Sequence, residues 1–225
     1  MSELAAQRWD AEYRRGRYTA DPPLPFVVTI SRTLAARGLA GEAPGLYVGC
    51  GNGRNWVPLI DAGLNLWGLD VSPEALRQLA ERRPAHAARL LHGDFLEFQP
   101  PTALAYVIAI QVFQHGTQRD AAAYFARAAE LLAPGGLLFV RVNSASTQVV
   151  RAHAVIERGE HGGFTVRYEE GSKDGMAIHF YTRPELEALT RARFAAVLEP
   201  REDVIDRAPP ERGSWAQWQA VYERR

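Results

Sequence analysis

A short turn between residues 46 and 55 holds the residues most able to do chemistry. Gly49, Gly51 and Gly53 follow an apolar run and precede a stretch that can open a helix. Because glycine has no Cβ, this turn can adopt strained dihedrals and direct its N–H groups at a bound molecule. A dinucleotide-binding loop has the spacing G-x-G-x-x-G, whose last position is Arg54 here, so a nicotinamide-dinucleotide site is disfavoured. The turn alone leaves two interpretations open, a tight structural connection and a ligand cradle.

Acidic residues follow the next two apolar runs. Asp70 closes the run that starts at Leu64, and Asp94 comes shortly after the run from Arg89 to His92. Since parallel strands end at one edge of a sheet, we expect Asp70 beside the glycine turn, where its carboxylate could accept two ribose hydroxyls.

A fourth apolar run, Leu104 to Ile110, leads into Gln111 and His115. His115 is the best candidate for a base that takes a proton from a hydroxyl or ammonium group, because an unperturbed imidazole has a pKa of about 6.5. The alternative is a histidine that caps or bonds the loop before the next helix. The remaining histidines show no metal-ligand spacing, and we expect no metal.

Alternating strands and helices from Gly45 to Val142 predict an α/β fold with a parallel sheet, helices on both faces and ligands outside the carboxyl ends of the strands. Helices are expected at Leu4 to Arg15 and at Phe26 to Arg37. Between them, three prolines force an extended path that could form a lid, with Tyr13 and Tyr18 facing the site. Alternatively, Trp9 and Tyr13 merely pack at i and i+4 spacing.

The C-terminal part has a looser pattern. We expect a helix within Thr147 to Arg158, and short strands at Phe164 to Tyr168 and Ala177 to Tyr181 that form a hairpin-like insertion beside the substrate pocket. Thr182 to Glu185 predicts a capping box at the start of the last helix. Terminal strands near Phe194 to Val204 and Trp215 to Tyr222 should complete the sheet.

Composition indicates one compact domain in the cytoplasm. The 225 residues are 47% hydrophobic, with 26 basic and 26 acidic side chains, so the chain lacks the broad positive field that favours nucleic acid. The lone Cys50 cannot form an intramolecular disulfide, and we expect it to pack within the turn. No run approaches the ~20 apolar residues that span a bilayer, and residues 1–10 lack the apolar core of a secretory signal. We expect a monomer or a homodimer.

From the glycine motif at 46–55 through Leu132 to Gly136, the sequence resembles the class I S-adenosylmethionine-dependent methyltransferases over about two-thirds of its length. The resemblance implies a single Rossmann-like domain with a seven-stranded, mostly parallel sheet and an N-terminal helical lid. It also implies S-adenosylmethionine as cofactor and S-adenosylhomocysteine as product. The implied contacts run from the methionine part through the ribose to the adenine, as follows: Gly49, Gly51 and Gly53 for methionine, Asp70 for ribose, Val71, Asp94 and Phe95 for adenine, and Gln111 for methionine or substrate.

Two positions depart from the family's pattern, since Tyr47 and Ala105 stand where acidic residues are usual. Tolerated variation is one explanation, and a non-catalytic sensor or partner subunit that binds the cofactor or its product is the other. The segment Gln111 to Gln114 lacks the Asn/Asp/Ser-Pro-Pro-aromatic motif of adenine-N6 and glutamine methyltransferases. We therefore expect in-line transfer to O, N or C of a small molecule. The expected parts are a lid segment (1–40), a cofactor core (45–142), a substrate-side insertion (143–182) and a terminal helix with strands (183–225).

Overall fold

The computed structural model describes residues 3–209 and 212–225, in which helices and strands alternate over most of the stretch from 45 to 143. The helices are α1 (Glu3–Arg14), α2 (Phe26–Ala36), α3 (Trp56–Asp61), α4 (Pro73–Arg82), α5 (Gln118–Leu131) and α6 (Arg183–Thr190). The strands are β1 (Gly45–Val48), β2 (Leu66–Asp70), β3 (Leu90–His92), β4 (Leu104–Ile110), β5 (Leu132–Asn143), β6 (His153–Arg158), β7 (Phe164–Tyr168), β8 (Ala177–Phe180), β9 (Phe194–Asp206) and β10 (Ser214–Arg224).

Seven of these strands form the central sheet, in the order β3-β2-β1-β4-β5-β10-β9. Strand β1 is third in this order and pairs in parallel with β2 on one side and β4 on the other. Strand β10 runs antiparallel to both β5 and β9. The α/β fold with a mostly parallel seven-stranded sheet is thus confirmed. Its consequence for function is that β1 to β4 all end at the same edge.

Apolar side chains cover both faces of this sheet because consecutive strand residues point to opposite sides. Val107 of β4 lies in the cluster beneath α5, whereas its neighbour Ile108 lies in the cluster beneath α2 and α3. Ser72 caps α4 by accepting a hydrogen bond from the Ala75 N–H, and Pro73 begins that helix. Helix α4 therefore begins directly after the end of β2.

The helix expected within Thr147 to Arg158 is wrong. Residues 153–158 form strand β6, whose β-branched Val155 and Ile156 suit pairing with β7. The strands expected at Phe164 and Ala177 are present, and together β6, β7 and β8 make a small antiparallel sheet. This sheet packs against α1 through Ala5, so its main neighbour is the lid helix.

The capping box expected at Thr182 is only half formed. The Thr182 hydroxyl accepts from the Glu185 N–H, but the Glu185 carboxylate bonds to His179 rather than back to Thr182. The terminal strands are longer than expected because β9 and β10 pair with each other along most of their length.

Candidate functional site

A cavity of about 890 Å³, counted with its open mouth, lies at the carboxyl ends of the central strands. Its walls come from the turn after β1, the ends of β2 and β3, the loop after β4, and α1 with the segment that follows it. Ten of the residues expected at the site line it together: Tyr13, Tyr18, Gly49, Gly51, Asp70, Val71, Asp94, Phe95, Gln111 and His115.

The three glycines of the turn do not share one role. All three have positive φ, and Gly49 and Gly51 line the cavity. A Cβ on Gly51 would overlap the Tyr13 hydroxyl, so the absence of a side chain lets the lid lie against the turn. Gly53 does not line the cavity, and a Cβ there would meet Leu79 and Val57. Gly53 was expected in the ligand cradle, but it lies outside the cavity. The absence of a side chain there instead allows α3 and α4 to pack closely.

Asp70 ties the end of β2 to the glycine turn. Its side chain is buried, and its two oxygens accept from the Gly51 N–H at 2.7 Å and the Ser72 N–H at 2.9 Å. Burial raises the pKa of Asp70, while the N–H groups of Ser72, Gly51 and Val71 oppose the rise. The carboxylate is thus held at the cavity by backbone donors.

The end of β3 supplies a polar group next to an aromatic one. Asp94 lines the cavity and accepts from the Leu96 N–H at 3.0 Å. Phe95 stacks on Phe113 with ring centroids 5.4 Å apart, and Tyr124 of α5 stacks on Phe113 in turn and also lines the cavity. Sequence reasoning missed Tyr124, because its place on the apolar face of α5 resembles that of any core residue.

Tyr47 and Ala105, the two departures from the family's pattern, lie at different depths. Tyr47 is buried and lines the cavity; burial raises the pKa of Tyr47, and a hydrogen bond with Asn55 opposes the rise. Ala105 packs against the core beneath α2 and does not line the cavity.

Arg54 and Asn55 also line the cavity, although sequence reasoning gave them no role. Arg54 Nε donates to the Pro22 carbonyl at 2.7 Å, and Asn55 Oδ1 accepts from the Leu24 N–H at 2.9 Å. Both side chains therefore hold the proline-rich segment against the site. Their position directly after the glycines was the available signal.

Three aromatic side chains cover the cavity from the lid. The ring centroids of Trp9, Tyr13 and Tyr18 lie 6.3 to 6.4 Å from one another. Tyr18 and Gln111 are the non-glycine residues with positive φ in the described part of the chain, at 61° and 62°, and both line the cavity. Such strained backbone is concentrated at functional sites.

The lid helix is fastened by Asp10, another residue that the sequence did not single out. Asp10 is 7% exposed, and its Oδ1 accepts from the Ser72 hydroxyl and from the Glu74 N–H, both at 2.9 Å. Arg14 adds an ion pair to the other oxygen. Because Ser72 also donates its N–H to Asp70, a chain of hydrogen bonds joins α1 to the end of β2.

His115 lies at the corner between the lid and the loop after β4. It is 4% exposed, its ring centroid lies 5.4 Å from that of Trp9, and its Nδ1 has no hydrogen-bond partner within residues 3–209 and 212–225. Burial lowers the pKa of His115 to about 3, and the Lys173 cation lowers it further, while the Gln111 carbonyl opposes the shift. The near-neutral pKa expected from the sequence is therefore wrong, because burial disfavours the charged imidazolium.

Other expectations concern what surrounds the cavity. No described residue between 143 and 182 lines it; the small sheet instead supports α1 and pairs with His115 through Ile178. Across residues 3–209 and 212–225, no cluster of three or more His, Cys, Asp or Glu side chains is arranged to hold a metal. None of the helices in those ranges has the length and apolar character needed to cross a bilayer.

Comparisons with known proteins show similarity to methyltransferases. Residues 46–136 match the model of a family described as a methyltransferase domain. An uncharacterized methyltransferase of Bacillus cereus is 30% identical over 91 residues, which are 40% of this chain and 42% of that protein, so the match spans less than half of the relative.

Two solved structures share the fold at low sequence identity. The 1,6-didemethyltoxoflavin-N1-methyltransferase of Burkholderia thailandensis, solved with 1,6-didemethyltoxoflavin and S-adenosylhomocysteine, is 19% identical with a TM-score of 0.65, covering 98% of this chain and 87% of that one. The CcbJ methyltransferase of Streptomyces caelestis is 21% identical with a TM-score of 0.62, covering 92% of this chain and 94% of that one.

Proposed function

We propose that this chain is a class I S-adenosylmethionine-dependent methyltransferase that transfers a methyl group from that cofactor to a small-molecule acceptor, a proposal supported by the match of residues 46–136 to a methyltransferase-domain model. The observation that carries the proposal is the single cavity at which the ends of β1, β2, β3 and β4 meet, with Asp70 bonded to the Gly51 N–H. The product of the cofactor would be S-adenosylhomocysteine.

The cavity walls fit the parts of this cofactor in order. Backbone at Gly49 and Gly51 would hold the methionine part, and Asp70 the ribose. A carboxylate has about four lone-pair sites, so Asp70 can accept ribose hydroxyls beyond its two backbone donors. Val71, Asp94 and Phe95 would hold the adenine. Gln111, at the end of β4, would contact the methionine part or the acceptor.

The amino-acid end of the cofactor would meet an unusual set of groups. Tyr47 replaces the usual acid, and Arg54 and Asn52 also line the cavity. A guanidinium matches a carboxylate in geometry and charge. We therefore propose that recognition here relies on the cofactor's carboxylate more than on its ammonium.

The chemistry required of the protein is mainly positioning. When bound, the cofactor's sulfonium supplies an activated methyl group. The lid aromatics exclude water, and Gln111 and His115 face the remaining space, so they can orient an acceptor for in-line attack. His115 is the residue that can accept a proton from the acceptor, and no metal enters the proposal.

The finer parts of the proposal concern partners. With equal numbers of basic and acidic side chains, the chain has no broad positive field for nucleic acid. We propose a small-molecule acceptor, methylated at O, N or C, no membrane partner, a monomer or homodimer, and a cytoplasmic location.

Isothermal titration with S-adenosylmethionine and S-adenosylhomocysteine tests the proposal. We expect binding of both, weakened about tenfold or more by Asp94→Ala and unchanged by Asp61→Ala, whose side chain lies on the surface in an ion pair with Arg83. Absence of binding would overturn the proposal. Binding without methyl transfer to any acceptor would favour the sensor alternative instead.

A further inference from the structure

One corner of the cavity remains for the acceptor if, as the proposed function requires, the cofactor extends from Gly49 to Phe95. The loop after β4 bounds this corner on one side with Gln111 and His115. The lid bounds it on the other side with Trp9 and Tyr18. The chemistry of these few side chains limits what can bind.

The walls of this corner are mostly aromatic rings. The imidazole of His115 meets the Trp9 indole nearly edge to face, at 83° and 5.4 Å, and the Tyr18 ring lies 6.4 Å from the same indole. Aromatic rings pack best against other flat, apolar rings, in offset or edge-to-face arrangements. The corner therefore favours a planar aromatic acceptor.

Charged groups on the cavity already have partners or face the cofactor path. Arg54 donates to the Pro22 carbonyl and lies 3.5 Å from the Asp21 carboxylate. Asp70 accepts two backbone N–H groups, and Asp94 lies at the adenine end of the path. The Arg17 and Arg54 guanidinium groups over the Tyr18 ring are already paired with the Glu12 and Asp21 carboxylates. A charged acceptor would thus lose its hydration at the corner and gain an ion pair only by displacing one of these partners, which is costly.

His115 supplies the polar group that remains. The imidazole is buried, and its Nδ1 has no partner among the described residues. A buried polar atom without a partner is rare in proteins and calls for an explanation. Because His115 is one of the residues that line the cavity, a ligand bound there is the explanation that we adopt. A neutral imidazole can accept one hydrogen bond.

We propose that the acceptor is an uncharged, flat aromatic molecule whose ring hydroxyl or ring N–H group donates a hydrogen bond to the His115 imidazole. In the transfer, a lone pair of the acceptor's oxygen or nitrogen forms the bond to the methyl carbon. The sulfur keeps the electron pair of the broken carbon–sulfur bond and becomes a neutral thioether. The acceptor's proton passes to the imidazole and then to water.

The weak basicity of His115 agrees with this class of acceptor. With a pKa of about 3, the imidazole can take a proton only from a strongly acidic group. A phenolic oxygen or aromatic ring N–H becomes such a group as the methyl bond forms and positive charge develops on it. An alkylammonium group, with a pKa of about 10, would keep its proton and have no lone pair to donate.

The test compares ligands that share one ring system and differ in a single substituent. The probes are 2-naphthol, 2-methylnaphthalene, 2-(aminomethyl)naphthalene and 2-naphthoate, titrated at neutral pH into wild-type protein saturated with S-adenosylhomocysteine. We expect 2-naphthol to bind about tenfold more tightly than each of the other three, the factor typical of one buried hydrogen bond. His115→Leu should remove the advantage of 2-naphthol over 2-methylnaphthalene, whereas His161→Asn, on the surface, should keep it.

Several results would overturn the inference. They are tight binding of the amine or the carboxylate, equal binding of 2-naphthol and 2-methylnaphthalene, and an advantage of 2-naphthol that survives in His115→Leu. Each leaves the proposed function intact, because the protein has by then been shown to bind S-adenosylhomocysteine. Failure to bind S-adenosylhomocysteine would instead remove the proposed function and the inference together.

Discussion

The regions around His115 and His179 both bury an imidazole, yet they treat it in opposite ways. His179 is 1% exposed, and both ring nitrogens are bonded: Nδ1 to the Thr165 hydroxyl at 2.9 Å and Nε2 to the Glu185 carboxylate at 3.0 Å. His115 is nearly as buried, but its Nδ1 has no hydrogen-bond partner in the part of the chain that the structure describes. The difference separates a histidine that holds the fold together from one available to a ligand.

The partners of His179 explain why its region is complete. Glu185 lies in the first turn of α6 and also accepts from the Gln118 side chain of α5 at 3.0 Å, while Thr165 and His179 belong to β7 and β8. This polar cluster therefore joins the small sheet to two helices. Within the described ranges of the chain, the Nδ1 atom of His115 lacks the kind of hydrogen bond that both ring nitrogens of His179 make. An unsatisfied buried polar group lowers the free energy of unfolding by about 1 to 3 kcal/mol. A protein can retain that cost where binding a ligand removes it.

Removing the shared carboxylate of the polar cluster around His179 should lower the free energy of unfolding more than any other substitution considered below. Glu185→Ala leaves His179 and Gln118 without their shared acceptor, so we expect the free energy of unfolding to fall by about 3 kcal/mol or more. Urea denaturation measures this change. Cofactor affinity, measured on the folded fraction at a low temperature, should stay the same.

Glu187→Ala is the matched control on the same helix, because Glu187 forms an exposed ion pair with Arg183. A change within about 0.5 kcal/mol is expected there. Equal losses in the two variants would mean that the cluster around His179 carries no special stability.

Lowering the pH should destabilise the folded protein because of the buried imidazole of His115. Its pKa is about 3 in the folded protein, near 6.5 when unfolded, and Lys173 is the charged side chain that lowers it further. Between these two pH values the unfolded chain binds one more proton than the folded chain. The contribution of His115 to the free energy of unfolding is therefore fully present above pH 6.5 and is lost as the pH is lowered toward 3. Burial of His115 alone should lower the free energy of unfolding by roughly 2 to 3 kcal/mol at pH 4.5.

His115→Leu should remove this part of the acid dependence. Urea denaturation at several pH values, for wild type and variant, measures the slope directly and is insensitive to a constant change in packing. The slope should become shallower by up to about 1.4 kcal/mol per pH unit between pH 6 and 4. Parallel curves for the two proteins would show that His115 is charged in the folded state.

The part of the cavity that we propose for the cofactor has walls that could be predicted from sequence, because each signal is local. The glycine turn, Asp70, Asp94 and Gln111 each follow an apolar run, and parallel strands bring the ends of such runs to one edge. The serine and proline before α4 are equally local. These signals fix the fold and most of the cavity wall before any long-range contact is known.

The remaining parts depend on contacts between distant segments. Asp10 acts through Ser72, 62 residues later, and no local pattern marks that pairing. The shifted pKa of His115 depends on burial beneath Trp9, which also lies far away in sequence. Strand β6 was mistaken for a helix because its pairing with β7, rather than its own periodicity, decides its form. Tertiary context overrides propensity at each of these places.

Asp10 is intermediate between the two histidine regions: it is fully hydrogen-bonded, as His179 is, but it belongs to the lid helix that borders the cavity, as His115 does. Asp10→Ala removes two hydrogen bonds at the start of α4, so we expect a stability loss of about 1 to 2 kcal/mol and weaker cofactor binding. Hydrogen exchange should rise in α1 more than in α5. Arg14→Ala, which removes only the exposed partner of the ion pair, should change stability by about 0.5 kcal/mol or less. Equal exchange rates in α1 of both variants would show that Asp10 does not fasten the lid.

The contact between lid and turn should give the smallest effect, seen as a coupling between two substitutions. Gly51→Ala places a Cβ against the Tyr13 hydroxyl at a backbone with φ of 54°, so it incurs both strain and a clash. Tyr13→Phe removes only the hydroxyl. In a double-mutant cycle, the double variant should therefore lose about 0.5 to 1 kcal/mol less free energy of unfolding than the sum of the losses in the two single variants. Strictly additive effects would mean that the lid does not rest on the glycine turn in solution, and that the corner beside His115 is open to water.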